Sequence, residues 1–250
     1  VAWNYLNQRP GDGHYLMVAN FNLSAGHLTG TSTYSYRDFT PVCIMAHEYV
    51  SFVVKADSPI RDGRDLIERL KKDPTSVSFS LSSVLGGANH VASGMALKTA
   101  GVDLKKVRTV VFDSAAKAMT AMLGGHVDVV AGSASVPVAQ MQAGTVRVIA
   151  VTAPRRLGGV YAAVPTWREQ GADMVFSNYR GFIGPKGLSD AQVAFWERAL
   201  SAVDQDEGWR ADLEKNVLSP AFTTGRETRK YWDNLDGPLK ATLGDLGLLR

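Results

Sequence analysis

The residues of this chain that could do chemistry are small ones, serines, glycines and asparagines gathered where apolar runs give way to helix starts. Asp113, Ser114 and Ala115 follow the run Val107–Phe112, and Gly132 and Ser133 follow Val127–Ala131. Ser82 closes the run that begins at Val77, and Ser83 opens a loop that continues through Val84 and Leu85 to Gly86, Gly87 and Ala88, with Asn89 at the helix start that follows. Asn20, Phe21 and Asn22 follow Tyr15–Ala19. Hydroxyls and helix-start amides hold an anion without a counter-ion, because the backbone N–H groups point at it and the helix dipole favours negative charge. The bland alternatives stand beside this: Ser114 as a plain N-cap, residues 82–89 as a connecting loop, Asn20 and Asn22 as turn residues. Motifs of catalysis are missing. There is no Gly-x-Ser-x-Gly elbow, no His-Glu-x-x-His helix, and no paired Cys/His ligand set, and Gly86-Gly87 lacks the lysine of a phosphate loop and the spacing of a dinucleotide fingerprint. A hydrolase or transferase would need a triad assembled from distant residues, which is the less favoured reading.

Strands alternating with helices must position these stretches. Val107–Phe112 is a β-branched apolar run of the kind covered on both faces, Ala115–Leu123 a helix capped by Ser114 and ended by Gly124-Gly125, and Val127–Ala131 a second strand. Val136–Gln142 reads as a short helix and Val146–Val151 as a third strand. That alternation implies a parallel sheet, which binds ligands at the carboxyl ends of its strands. Upstream, Tyr15–Ala19, Phe39–Ala46, Val50–Lys55 and Val77–Ser82 read as strands, with Asp62 capping one helix and Asn89–Ala100 forming another. Downstream, Pro165–Gln170 reads as a short helix and Met174–Phe176 as a strand. The last third is mostly helical, with capping boxes at Ser189–Gln192 and Thr224–Glu227 and a cap at Asp206. Trp196, Trp209, Tyr231 and Trp232 fall at helical positions and pack these helices together, Trp232 being a candidate for exposure. Two α/β lobes account for this order, residues 1–54 with 179–250 and residues 55–178, and the two crossings put a ligand cleft between the lobes.

Composition sets the bounds. A chain of 250 residues that is 45% hydrophobic fills one large or two modest cores. The net charge of +3 comes without a clustered Lys/Arg face, which favours a small anionic ligand over nucleic acid. No uncharged apolar run approaches the ~18 residues of a membrane span. Cys43, flanked by Val42 and Ile44, is the single cysteine and reads as a buried, inert thiol, so no internal disulfide and no cysteine-rich metal site are expected. His47-Glu48 is adjacent, not one helical turn apart, and is not a metal pair. His90, in the first turn of its helix, reads as a neutral imidazole that packs the preceding loop. Lys117 reads as a solvated lysine, with Ser135 a companion of Ser133.

The motifs carry more together than singly. Gly11-Asp12-Gly13-His14-Tyr15-Leu16, Phe39-Thr40-Pro41-Val42, Asn89-His90-Val91-Ala92, Leu123-Gly124-Gly125-His126-Val127-Asp128-Val129, Ala143-Gly144-Thr145-Val146-Arg147 and Val164-Pro165-Thr166 occur in this order. In order and spacing, over nearly the whole chain, they resemble the tripartite tricarboxylate transporter solute-receptor family, the Bug-type extracytoplasmic binding proteins. The resemblance implies two Rossmann-like lobes of the type 2 periplasmic (Venus-flytrap) kind that close on a small carboxylate and deliver it to membrane permease subunits. It implies a periplasmic, non-enzymatic protein with no cofactor or metal, expected as a monomer; a domain that senses the same solute and signals to a kinase is the alternative. The implied ligand residues are Asn20, Phe21, Asn22, Ser82, Ser83, Gly86, Gly87, Ala88, Asn89, Asp113, Ser114, Ala115, Gly132 and Ser133. Two departures accompany it. The family's opening strand and helix are absent before Gly11, a unit of about 30 residues, so the first lobe is expected to lack one wall. Asp113 also stands where the family often has glycine, and would repel a carboxylate if it pointed inward.

Overall fold

The computed structural model describes every residue except Val1 and Ser83. The chain divides into two compact units, the first comprising Val1–Glu48, Asn178–Ala241 and Leu249–Arg250, the second Tyr49–Ser177 and Thr242–Leu248. It begins in the first unit with α1 (Ala2–Asn7), β1 (Met17–Ala19), α2 (Asn22–Leu28) and β2 (Thr40–Glu48). The second unit holds β3 (Val50–Lys55), α3 (Gly63–Lys72), β4 (Ser78–Ser82), α4 (Ala88–Thr99), β5 (Arg108–Phe112), α5 (Ala115–Leu123), β6 (Val129–Ser133), α6 (Val138–Gln142) and β7 (Val146–Val151). The chain then returns through β8 (Asn178–Gly184), α7 (Asp190–Asp204), α8 (Glu207–Lys215), β9 (Leu218–Thr224) and α9 (Gly225–Asp245).

The first unit is built on an antiparallel sheet of order β1-β8-β2-β9. β2 and β8 approach so closely at a bulge that a Cβ on Gly181 would stand 2.1 Å from the Cys43 carbonyl oxygen, so only glycine fits there. One face of the sheet carries Leu23, Tyr36, Ile44, Tyr179, Ile183 and Trp232, all buried. Trp232 is 0% exposed, against the expectation that it could face solvent, because the Tyr36 and Tyr179 rings enclose it at centroid distances of 5.7 and 5.8 Å. The other face buries Val42, Cys43 and Met45 under Trp196, Leu200 and Trp209. Loss of water pushes the Cys43 thiol up to about 12.

The second unit holds a sheet of order β5-β4-β6-β3-β7. β5, β4 and β6 are mutually parallel, but β3 is antiparallel to both β6 and β7. The expected parallel alternation therefore holds for direction and fails for adjacency, since β3 is inserted between β6 and β7. The same pairing places Val50–Lys55 in the second unit, so the crossing expected near Val54 falls between Glu48 and Tyr49. β5 is not covered on both faces. It is an edge strand with Arg108, Val110 and Val111 exposed, and an apolar run carries no record of which strands lie beside it. Met174–Phe176 forms no strand, although the Phe176 amide reaches the Thr152 carbonyl. β9 is a strand in the last third of the chain, where mostly helices were expected; as an edge strand beside β2 it tolerates the N–H that Pro220 lacks.

Helix starts follow local chemistry. Asp62 accepts from the Asp65 amide, Ser114 from that of Lys117 and Asp206 from that of Trp209. Ser189 with Gln192 forms a full capping box, and Thr224 with Glu227 exchanges the same pair of bonds.

Candidate functional site

In the second unit, three of the expected stretches end neighbouring parallel strands. Ser82 stands opposite Phe112 in the β4–β5 ladder, and Leu81 opposite Ala131 in the β4–β6 ladder. The loops that begin at Ser82, Asp113 and Gly132 are therefore side by side, about 4.8 Å apart per strand. After β4 the chain moves through α4 to β5 on one side; after β5 it moves through α5 to β6 on the other side of β4. The strand order thus reverses at β4, and open α/β sheets bind ligands outside the carboxyl ends at such a point. α4 and α5 both begin at this edge, contributing their amide ends.

The individual residues differ in what they have left to offer. Gly86 takes φ +78° as third residue of a turn that the Gly87 amide closes onto the Val84 carbonyl at 3.1 Å. The Gly86 amide donates to His90 Nδ1 at 3.1 Å, so both glycine amides are spent inside the loop. Ala88 and Asn89 form the first turn of α4, and Ser83 lies outside the described residues. His90 is 8% exposed, and burial pushes its pKa down to about 4, which keeps the imidazole neutral. Asp113 does not present a bare charge: its carboxylate pairs with Lys117 Nζ at 2.6 Å, both side chains being largely exposed. Ser114 is exposed and caps α5, with Ala115 half-buried behind it.

At the end of β6 the polar groups form one cluster. The Ser51 hydroxyl donates to the Gly132 carbonyl at 3.2 Å, and the Ser133 and Ser135 hydroxyls meet at 2.9 Å. The Tyr161 hydroxyl donates to the Ala134 carbonyl. Ser51 and Tyr161 were not anticipated. Neither sits at a strand end or a helix start, and only pairing across β3 and β6 brings Ser51 to this edge.

Asn20, Phe21 and Asn22 belong to the first unit. Asn20 Oδ1 accepts from the Asn22 amide at 3.0 Å, a turn motif, while the Phe21 ring is fully buried and its amide donates to Asn178 Oδ1 at 3.2 Å. Phe21 is thus a core residue whose side chain is not presented to solvent. Glu48 accepts from Asn178 Nδ2 at 2.7 Å and from Arg180, which ties the ends of β2 and β8 together. Among the described residues no group of three or more His, Cys, Asp or Glu side chains is placed to hold a metal, and no helix is long and apolar enough to cross a membrane.

Two α/β units threaded by repeated crossings, with helix starts at the strand ends, have the fold of the type 2 periplasmic binding proteins. A TctC solute-binding protein from Polaromonas shares this fold at a TM-score of 0.83 and 20% identity, over 98% of this chain and 82% of that one. An R. palustris protein with adipate does so at 0.81 and 19%, over 98% and 82%. The chain belongs to the tripartite tricarboxylate transporter receptor family, whose pattern matches residues 1–240. Among curated relatives, a UPF0065 protein of Cupriavidus necator is 24% identical over 86% of this chain, and one of Pseudomonas sp. (strain P51) is 29% identical over 88%. The chain spans less than two thirds of these relatives, 64% and 61% of their lengths. The family is one of receptors, in keeping with the expectation of a non-enzymatic protein.

Proposed function

We propose that this chain is the solute-binding part of a periplasmic receptor that captures a small carboxylate and delivers it, as a monomer, to the membrane permease subunits of a tripartite transporter. The observation that carries this reading is the edge of the second unit where β4, β5 and β6 end together beside the starts of α4 and α5. Such an edge supplies amide and hydroxyl donors without a fixed cation, and a carboxylate buried among donors avoids the cost of an unpaired charge. Adipate in a structural neighbour supports an acid of this class. The ligand residues are those of the three loops, with Ala88, Asn89, Ser114, Ala115 and Ser133 the ones whose positions suit contact.

The test is a thermal-shift panel of acetate, benzoate, succinate, malate, adipate and citrate, followed by calorimetry. An acid present at 100 times its dissociation constant adds about 2.7 kcal/mol of stability. Stabilisation that survives EDTA and weakens in Ser114→Ala is expected. A panel without any response would refute carboxylate binding, and a response abolished by EDTA would replace backbone donors with a metal.

A further inference from the structure

The start of α4 is fastened from the wrong side. A helix usually closes its first turn with the N-cap side chain, but Gly87 occupies that position and has none. In a capping box the third helical residue reaches back to the N-cap amide. Here the third residue is His90, and its Nδ1 accepts instead from Gly86, one residue further out, at 3.1 Å. The Gly87 amide meanwhile closes the Val84–Gly87 turn. The two bonds make turn and helix start hold each other. Behind the imidazole lies a small cavity lined by Phe79, Leu81, Leu97, Leu104 and Leu246, with Ser93 and Thr109 as polar members and no charged group among the described residues that line it. Burial there disfavours the charged ring, and a neutral imidazole keeps one ring nitrogen bare, which at Nδ1 accepts from the Gly86 amide.

We infer that His90 is the positioning residue of the carboxylate site: through Nδ1 it holds the Gly86 amide, and so presets the backbone of Val84–Asn89 before ligand arrives. This rests on the carboxylate-binding reading above. A histidine that merely fills space makes the opposite forecast for two substitutions. His90→Phe keeps the ring volume and removes the acceptor, whereas His90→Asn loses volume and keeps an acceptor where Nδ1 stood.

The experiment compares wild type, H90F and H90N by calorimetry with the best-binding acid of the panel, and by amide exchange of Gly86 in the ligand-free protein. H90F is expected to bind about ten-fold more weakly, the worth of one preformed hydrogen bond, and to lose protection at Gly86. H90N is expected to stay within about three-fold of wild type and to retain that protection. Wild-type affinity in H90F, or H90N as weak as H90F, would overturn the inference. If wild type binds no acid of the panel, the functional reading fails and the affinity claim with it; Gly86 exchange still decides whether His90 holds the turn, and unchanged exchange in H90F denies it. Should H90F not fold, the ring nitrogens of ¹⁵N-labelled wild type decide: a proton on Nδ1 overturns the inference, and a bare Nδ1 opposite the Gly86 amide supports it.

Discussion

Acidification from pH 7 to pH 5 is expected to weaken this protein through His90 alone by about 2 kcal/mol. In the unfolded chain a histidine titrates near 6.5, while burial in the fold pushes His90 down to about 4. Between those values the unfolded state binds a proton that the folded state refuses, so stability falls as pH falls. The contribution is fully present above pH 6.5 and is lost as pH drops through 4, where it totals about 3 kcal/mol. His47, also shifted down by burial, acts in the same direction. The shifted carboxylates Asp65 and Asp236 lie below their ordinary value of 3.8, so they contribute mainly at lower pH. Urea unfolding of wild type and His90→Asn at pH 7 and pH 5 isolates the histidine term by difference. Wild type is expected to lose about 2 kcal/mol more than the variant over this interval. Equal losses would mean that His90 titrates in the fold as it does in the unfolded chain.

Two further predictions concern single residues. Val217 takes φ +53° after α8, a left-handed conformation that a β-branched side chain resists, so Val217→Gly is expected to raise stability by about 1 kcal/mol; a lower melting temperature for the variant would show that side-chain contacts outweigh the backbone strain. Cys43 is fully buried with its thiol pushed up to about 12, so the folded protein is expected to resist a thiol reagent at pH 8 and to react on unfolding in urea. Rapid labelling of the native protein would contradict that environment.

Much of the local structure was legible in the sequence for a common reason. A cap joins a side chain to an amide two or three residues away, so Asp62, Ser114, Ser189, Asp206 and Thr224 announced their helices without any tertiary help. Apolar runs marked β3, β4, β5, β6 and β7 to within a residue or two, and the six short motifs in their order and spacing pointed to the family that the match over residues 1–240 establishes. The stretches at the ends of β4, β5 and β6 were likewise visible as strand ends.

Only the tertiary structure decided which strands are neighbours, because pairing joins residues far apart in the chain and a hydrophobic run is the same at an edge or a centre. That is why β5 emerged as an edge, β3 as an antiparallel insertion, β9 as a strand despite Pro220, and Trp232 as core. The same non-local pairing decided which expected site residues stand together. It aligned Ser82, Asp113 and Gly132 along one edge, brought in Ser51, turned Phe21 into the core and set Asp113 against Lys117. The sequence by itself determined where hydroxyls, glycines and helix starts occur; the order of strands determined which of them lie along one edge.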